Sequence, residues 1–289
     1  MSCDGHAALC WRTPTQPTEL CMITVLSEKV LAGFLGLIVL ALVLLQWLPL
    51  VNGIGLIGVT GLAWFFRREK LQRWANVALF VVLVPLVFWV ATYRPEGFSY
   101  PLLFSLSAAP GETLAHEFYL NFSKALAGFV LLYLLWPKLR NGEFVVRARY
   151  SLAVVVIASV LVIALAVQVL GLTWQPKSIE QVLLFAMANL FIICVAEEAF
   201  MRFLFQQNLR NAVASLTANR ALQEIIPLLL VTVIFVAIHA GISGAAVWVY
   251  ALAGFLYGLS YTLGKNILYP IAIHFLVNQI HFSFLTYPL

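Results

Sequence analysis

Charged residues are scarce in this sequence. Only 10% of its 289 residues are Asp, Glu, Lys or Arg, whereas 63% are hydrophobic. Soluble domains carry roughly 25% charged and 45 to 50% apolar residues. A water-soluble enzyme, a disordered chain and a disulfide-rich secreted domain are therefore all disfavoured, and the composition indicates a polytopic membrane protein.

Cysteine is also rare, and its spacing does not suit metal or redox chemistry. The chain has four Cys and no CxxC pair, so neither a zinc knuckle nor a redox pair is predicted. The net charge of +5 comes from basic residues that lie between apolar runs. A nucleic-acid-binding surface would cluster them, so we expect membrane lipid and no nucleic acid as a partner.

Long apolar runs account for most of the chain. A helix needs about 20 mostly apolar residues to cross a bilayer. Nine segments are candidates, of which the second and the seventh are short, so the predicted fold is an all-α, polytopic transmembrane bundle of eight or nine membrane helices. The segments are Val30 to Leu48, Val51 to Phe66, Ala75 to Tyr93, Asn121 to Trp136, Tyr150 to Leu172, Ile179 to Asn208, Ile225 to His239, Ala245 to Leu263 and Ile267 to Thr286.

The positions of Lys and Arg predict the orientation. If all nine segments cross, thirteen of the seventeen Lys and Arg residues fall on one side, and three (Arg94, Lys124 and Lys177) fall on the other. Positive loops stay in the cytoplasm, so the N-terminus is expected there. The short loops suggest the plasma membrane of a prokaryote.

Three regions follow from the distribution of polar residues: a polar tail over residues 1–27, motif-free membrane helices over 28–149, and a catalytic helical core over 150–289. Gly111 to Tyr119 is predicted to form a short interfacial helix that carries Glu112, His116 and Glu117. For these three side chains a solvated face is favoured over a metal site.

Ionisable residues inside the predicted helices require a structural or functional explanation. A charge at the centre of a membrane helix costs about 2.5 to 3.5 kcal/mol on insertion scales. Glu198 and Arg202 are four residues apart, the spacing of an ion pair on one helix face. Glu197 is rotated by about 100° from Glu198, so it is the carboxylate left in need of a partner.

Two further helices bring polar groups to a comparable predicted depth. His239 closes the seventh segment, one turn after Phe235, while His274 and Asn278 are one turn apart in the ninth. A carboxylate beside an imidazole can remove a proton from water. A second imidazole and an amide can stabilise the oxyanion that forms when this water attacks a carbonyl. These groups favour peptide hydrolysis.

The three motifs EExxxR (Glu197, Glu198, Arg202), FxxxH (Phe235, His239) and HxxxN (His274, Asn278) resemble the CPBP family. This family, also called ABI or CAAX protease-like, comprises intramembrane glutamic proteases related to the Ras-converting CAAX endopeptidase. The resemblance covers roughly Tyr150 to the end of the sequence. It implies that Glu197 is the general base, His239 its partner, and His274 with Asn278 the oxyanion stabilisers. Glu198, Arg202 and Phe235 are then structural residues near the site.

Alternatives stay open at this point. The family was long labelled metalloprotease, and Glu197, His239 and His274 could ligate zinc. A metal-free mechanism without a cofactor is favoured because Asn278 suits an oxyanion donor. A transporter or a scaffold without catalysis could also use a buried carboxylate. The expected partner is a membrane-associated or C-terminally anchored protein or peptide substrate. Asn189, Gln168 and Gln279 are expected to join helices, and Gly254 with Gly258 to allow close packing.

Overall fold

The computed structural model describes residues 18–66, 72–106, 116–135, 148–239 and 244–287. Within these ranges the protein is mostly helical, and each of the nine predicted apolar segments contains a helix. The helices are α1 (Thr18–Leu44), α2 (Leu50–Phe66), α3 (Arg73–Thr92), α4 (Phe122–Leu135), α5 (Ala148–Leu170), α6 (Ile179–Ala214), α7 (Arg220–Ile238), α8 (Ala246–Gly264) and α9 (Leu268–Phe284). The strands β1 (Leu102–Leu106) and β2 (His116–Tyr119) form an antiparallel pair between α3 and α4.

Five helices are long and apolar enough to cross a membrane, namely α3, α5, α6, α7 and α8. The apolar helical stretches Ala32–Leu44, Leu50–Phe66 and Phe122–Leu135 are shorter, and α9 has 17 residues. These helices fit an integral membrane protein. The count of eight or nine crossings and the cytoplasmic N-terminus stay predictions.

The interfacial helix expected over Gly111 to Tyr119 is wrong in its described part, because His116–Tyr119 is strand β2. The strand alternates in burial, as a half-buried strand does. Its Phe118 stacks on Phe104 of β1 with ring centroids 4.6 Å apart and contacts Phe282 of α9. This aromatic packing favours the hairpin over a helix. Glu112 lies outside the described residues.

The buried apolar residues form two main clusters that share α6, α8 and α9. One cluster joins α1 to α4 with the middle of α6 and with residues of α8 and α9, and the other joins α5 to α9. The first cluster therefore crosses the predicted boundary between residues 149 and 150. At the other boundary, α1 begins at Thr18, inside the segment predicted as a polar tail, and residues 1–17 lie outside the described ranges.

Helix α6 is irregular around the EExxxR motif. Two π-helical stretches, Asn189–Cys194 and Ala199–Gln206, flank a single α-helical turn, Val195–Glu198. Wider π turns are rare and occur frequently at functional sites. The α-helical turn keeps Glu197 and Glu198 about 100° apart around the helix axis, so the two carboxylates face different neighbours.

Candidate active site

A cavity of about 270 Å³ lies among α5, α6, α7, α8 and α9. All four residues predicted as catalytic line it, although they come from three helices that are far apart in the sequence. Aliphatic residues of α5 and α8 form much of the remaining wall. The polar lining consists of Glu197, His239, Tyr250, Tyr257, His274, Asn278, His281 and Tyr287.

Glu198 lies on a fully buried side of α6, which we call the closed side. Its Oε2 accepts a hydrogen bond from Arg202 Nε at 2.7 Å, and both side chains are fully buried. The ion pair expected from the four-residue spacing is thus present. The guanidinium also donates from Nη1 to Gln206 Oε1 at 2.8 Å, which extends the buried polar network along α6.

Glu198 has a second partner that the motif spacing alone does not identify. Its Oε1 accepts a hydrogen bond from Nδ1 of His274 at 2.9 Å. The imidazole stacks on the Tyr257 ring, with centroids 4.8 Å apart and an interplanar angle of 20°. These two contacts orient the ring of His274, so that its Nε2 faces Glu197 with 3.9 Å between Nε2 and Oε2.

Glu197 lies at the cavity wall, with its side chain 15% exposed. Its Oε1 accepts a hydrogen bond from Lys124 Nζ at 2.5 Å. Its Oε2 is buried and has no hydrogen-bond partner among the described residues. Lys124 is the partner that the sequence reading missed, since it lies 73 residues earlier and in no motif. The available signal was its position at the start of an apolar run, away from the other basic residues.

His239 follows the last residue of α7 and lines the cavity. Its Nδ1 donates to the backbone oxygen of Phe235 at 2.7 Å, and the two rings lie 4.6 Å apart. The FxxxH spacing therefore fixes the imidazole against its own helix. Because a neutral imidazole with a proton on Nδ1 can accept at Nε2, His239 can act as an acceptor in the cavity.

Asn278 faces both the cavity and α6. Its Nδ2 donates to Asn189 Oδ1 at 3.1 Å, and Asn189 in turn donates to the backbone oxygen of Phe275 at 3.0 Å. The role expected for Asn189 in joining helices is present, since it connects α6 to α9. An amide carries two N–H groups, so Asn278 has a second donor beyond this contact.

The glycines expected to pack closely are in place beside the site. A Cβ added at Gly254 of α8 would lie 2.8 Å from the Phe235 ring, and one added at Gly258 would lie 2.6 Å from Leu228. Both contacts are with α7. The small residues of α8 therefore bring the helix that carries His239 close to the rest of the cavity wall.

Aromatic residues outside the motifs complete the cavity. Tyr287 follows α9 and contacts the rings of His281 and Phe118, with centroids 5.1 Å and 5.5 Å away. Burial raises the pKa of Tyr287 to about 12, so its phenol stays neutral and can donate a hydrogen bond. The sequence reading also missed this residue and Tyr257, because single tyrosines in apolar runs are not distinctive.

The zinc alternative requires Glu197, His239 and His274 to converge on one ion. Across the ranges that the structure describes, no group of three or more His, Cys, Asp or Glu side chains has this arrangement. Glu197 Oε1 is held by Lys124, and His274 Nδ1 is held by Glu198. These contacts leave Glu197 Oε2 and His274 Nε2 at the cavity, and both the metal-free mechanism and the zinc alternative stay predictions.

Fold and site together define a helical integral membrane protein with a carboxylate and imidazoles at an internal cavity. Residues 179–280 match the family model described as "Rce1-like: Type II CAAX prenyl endopeptidase Rce1-like". The resemblance to the CAAX protease-like family is thus confirmed, on a segment that runs from α6 into α9. Neither a curated protein nor a solved structure matches the chain. Lys124 and helices α1 to α5 lie outside the matched segment.

Proposed function

We propose that this protein is an intramembrane endopeptidase that hydrolyses a peptide bond of a membrane-associated or C-terminally anchored substrate. The observation that carries the proposal is the position of Glu197 Oε2, which is buried without a hydrogen-bond partner in the described part of the chain and lies 3.9 Å from His274 Nε2. Buried carboxylate oxygens are nearly always paired. An unpaired one at a cavity wall is suited to accept a proton from a water molecule.

The proposed reaction starts with a water molecule held between Glu197 and His239. Glu197 Oε2 removes one proton from the water, while His239 Nε2 accepts the other O–H as a hydrogen bond. The water oxygen adds to the carbonyl carbon of the substrate. When the C–N bond breaks, Glu197 returns its proton to the leaving nitrogen, so that the carboxylate is regenerated.

The oxyanion of the tetrahedral intermediate is assigned to His274 and Asn278 in this proposal. His274 can donate from Nε2 only when both ring nitrogens carry protons. Glu198 holds the other ring nitrogen, since its Oε1 accepts the Nδ1–H bond at 2.9 Å. The second amide N–H of Asn278 completes the pair of donors. Donors aimed in advance at the developing charge lower the reaction barrier.

Two classes of substrate fit a cavity with an aliphatic wall inside a membrane protein. One is a prenylated C-terminal peptide, as in the name of the matched family, and the other is an unmodified membrane-anchored segment. The plasma membrane of a prokaryote and a cytoplasmic N-terminus are part of the same proposal. The experiment therefore has to identify the substrate without assuming its class.

The test compares the terminal peptides of membrane proteins between cells that produce the wild type and cells that produce Glu197→Gln. We expect at least one membrane-associated protein to be cut by the wild type and to accumulate uncut with the variant. Glu180→Gln is the matched control, because Glu180 is exposed in the first turn of the same helix, and it should cut normally. Identical termini in wild-type and Glu197→Gln cells would contradict the proposal.

A further inference from the structure

Lys124 supplies the cation of the site from a helix outside the family match. It belongs to α4, whereas the match covers residues 179–280. Its Nζ lies 2.5 Å from Glu197 Oε1, with side chains 26% and 15% exposed. This pair is therefore drier than a typical surface salt bridge, which contributes little to stability.

The position of Lys124 depends on a close approach between α4 and α6. Gly128 lies one turn after Lys124, on the same face of α4. A Cβ added at Gly128 would lie 2.3 Å from the Cα of Ala196, the residue before Glu197. Only a residue without a side chain allows this distance between the helix backbones, and the close contact brings Lys124 within reach of Glu197.

The start of α4 is held by a buried polar network. The backbone N–H of Lys124 donates to Asn121 Oδ1 at 2.9 Å. Ser123 is fully buried, and its hydroxyl lies 2.9 Å from Asn52 Nδ2 and 2.7 Å from the Tyr100 hydroxyl. Residues from α2, α4 and the segment after α3 therefore fix the backbone from which Lys124 projects.

Each of the two adjacent carboxylates has its own cation. Arg202 is bonded to Glu198, and Lys124 is bonded to Glu197. Without Lys124, Glu197 would lose the ammonium bonded to its Oε1, and a charge that loses its partner inside a protein is costly.

We propose that Lys124 is a positioning residue for Glu197. Its ammonium binds Oε1 of Glu197, so that Oε2 remains the oxygen that faces His274 Nε2 and accepts the proton of the water molecule. This role rests on the proposed peptidase function. It also gives α4, which lies outside the family match, a role at the site.

The kinetic test uses purified protein in liposomes and a quenched fluorescent peptide that spans the cleavage site found by the Glu197→Gln comparison. Lys124→Met should lower kcat by about 10- to 100-fold, the order expected for a misplaced catalytic group, with KM within about twofold of the wild type. Lys124→Arg should recover most of the lost kcat. The control Lys265→Met, which removes a cation from the ion pair with Glu224, should leave kcat within about twofold.

A second measurement follows the ion pair without any substrate. Thermal unfolding in detergent is compared for the wild type, Lys124→Met, Glu197→Gln and the double variant. Lys124→Met should lower Tm by several degrees when Glu197 is present, because it leaves a carboxylate without its cation. The loss should be much smaller in the Glu197→Gln background.

Failure of the proposed function and failure of the positioning role of Lys124 would give different results. A wild type that cleaves nothing contradicts the proposed function. A wild type that cleaves, together with a Lys124→Met variant that has unchanged kcat, or with KM alone raised, overturns only the positioning role. Equal losses of Tm for Lys124→Met in both backgrounds would also overturn it, since the pair would then make no coupled contribution.

Discussion

The two sides of α6 differ in how their carboxylates are bonded. On one side, Glu198 is fully buried, and each of its oxygens is bonded, to Arg202 and to His274. On the other side, which we call the open side, Glu197 has one oxygen on Lys124 and one at the cavity that has no partner within the described ranges. Adjacent residues of the same type thus occupy opposite environments. Because both oxygens of Glu198 are bonded, this carboxylate is suited to a structural role. The unbonded oxygen of Glu197 suits that carboxylate to take part in the reaction.

The partners of the two carboxylates also differ in origin. Both partners of Glu198 lie in the segment that matches the family model, and Arg202 is on the same helix. The cation of Glu197 comes from α4, outside that segment. The Glu198–Arg202 pair is therefore set by helical spacing within α6, whereas the contacts of Glu198 with His274 and of Glu197 with Lys124 depend on tertiary packing.

The largest effect on stability is expected on the closed side. Arg202→Met should lower the free energy of unfolding by about 3 to 5 kcal/mol, because it leaves Glu198 buried without its guanidinium. The double variant Arg202→Met and Glu198→Gln should recover much of this loss, since a neutral amide needs no counter-charge. Denaturant titration in detergent micelles measures both. A single variant as stable as the wild type would show that the pair does not hold the closed side together.

A smaller effect is expected where α4 approaches the open side. Gly128→Ala should cost about 1 to 3 kcal/mol, as overpacking does, because its Cβ would lie 2.3 Å from Ala196. It should also lower the cleavage rate, since it moves Lys124 away from Glu197. The control Gly61→Ala has no described atom within 4 Å of its Cβ and should be neutral or stabilising. If both variants behave alike, the close helix contact does not position Lys124.

The smallest effect is expected for an ion pair away from both sides of the site. Lys265→Met should change the free energy of unfolding by only about 0 to 1 kcal/mol. Glu224 keeps Arg210 at 2.7 Å, and the Lys265 side chain is 35% exposed. The same denaturant titration checks this value. A loss as large as that of Arg202→Met would remove the distinction between buried and exposed pairs on which the comparison depends.

Residues that act through helical spacing could be predicted from the sequence. The pair of Glu198 with Arg202 follows from a separation of four residues, and so does the placement of His274 and Asn278 on one face of α9. Their meeting at one cavity also agrees with the comparable depths expected for the helices. The roles of these residues in catalysis stay predictions.

Contacts that depend on tertiary packing could not be predicted in this way. The pair of Lys124 with Glu197 requires α4 to pack against α6 at Gly128, and helical spacing contains no information on that distance. The second partner of Glu198, His274, depends on the rotation of α9. The β-hairpin was missed for a related reason, because Phe118 is stabilised by rings from other parts of the chain.

The most direct test of the central claim is the cleavage rate of purified wild type and Glu197→Gln in liposomes, on the peptide identified from cells. Gln has nearly the same shape as Glu and cannot take the proton of a water molecule. The account predicts a rate at least about 100-fold lower for the variant, which should remain folded. A folded Glu197→Gln protein that cleaves the peptide at the wild-type rate would contradict it.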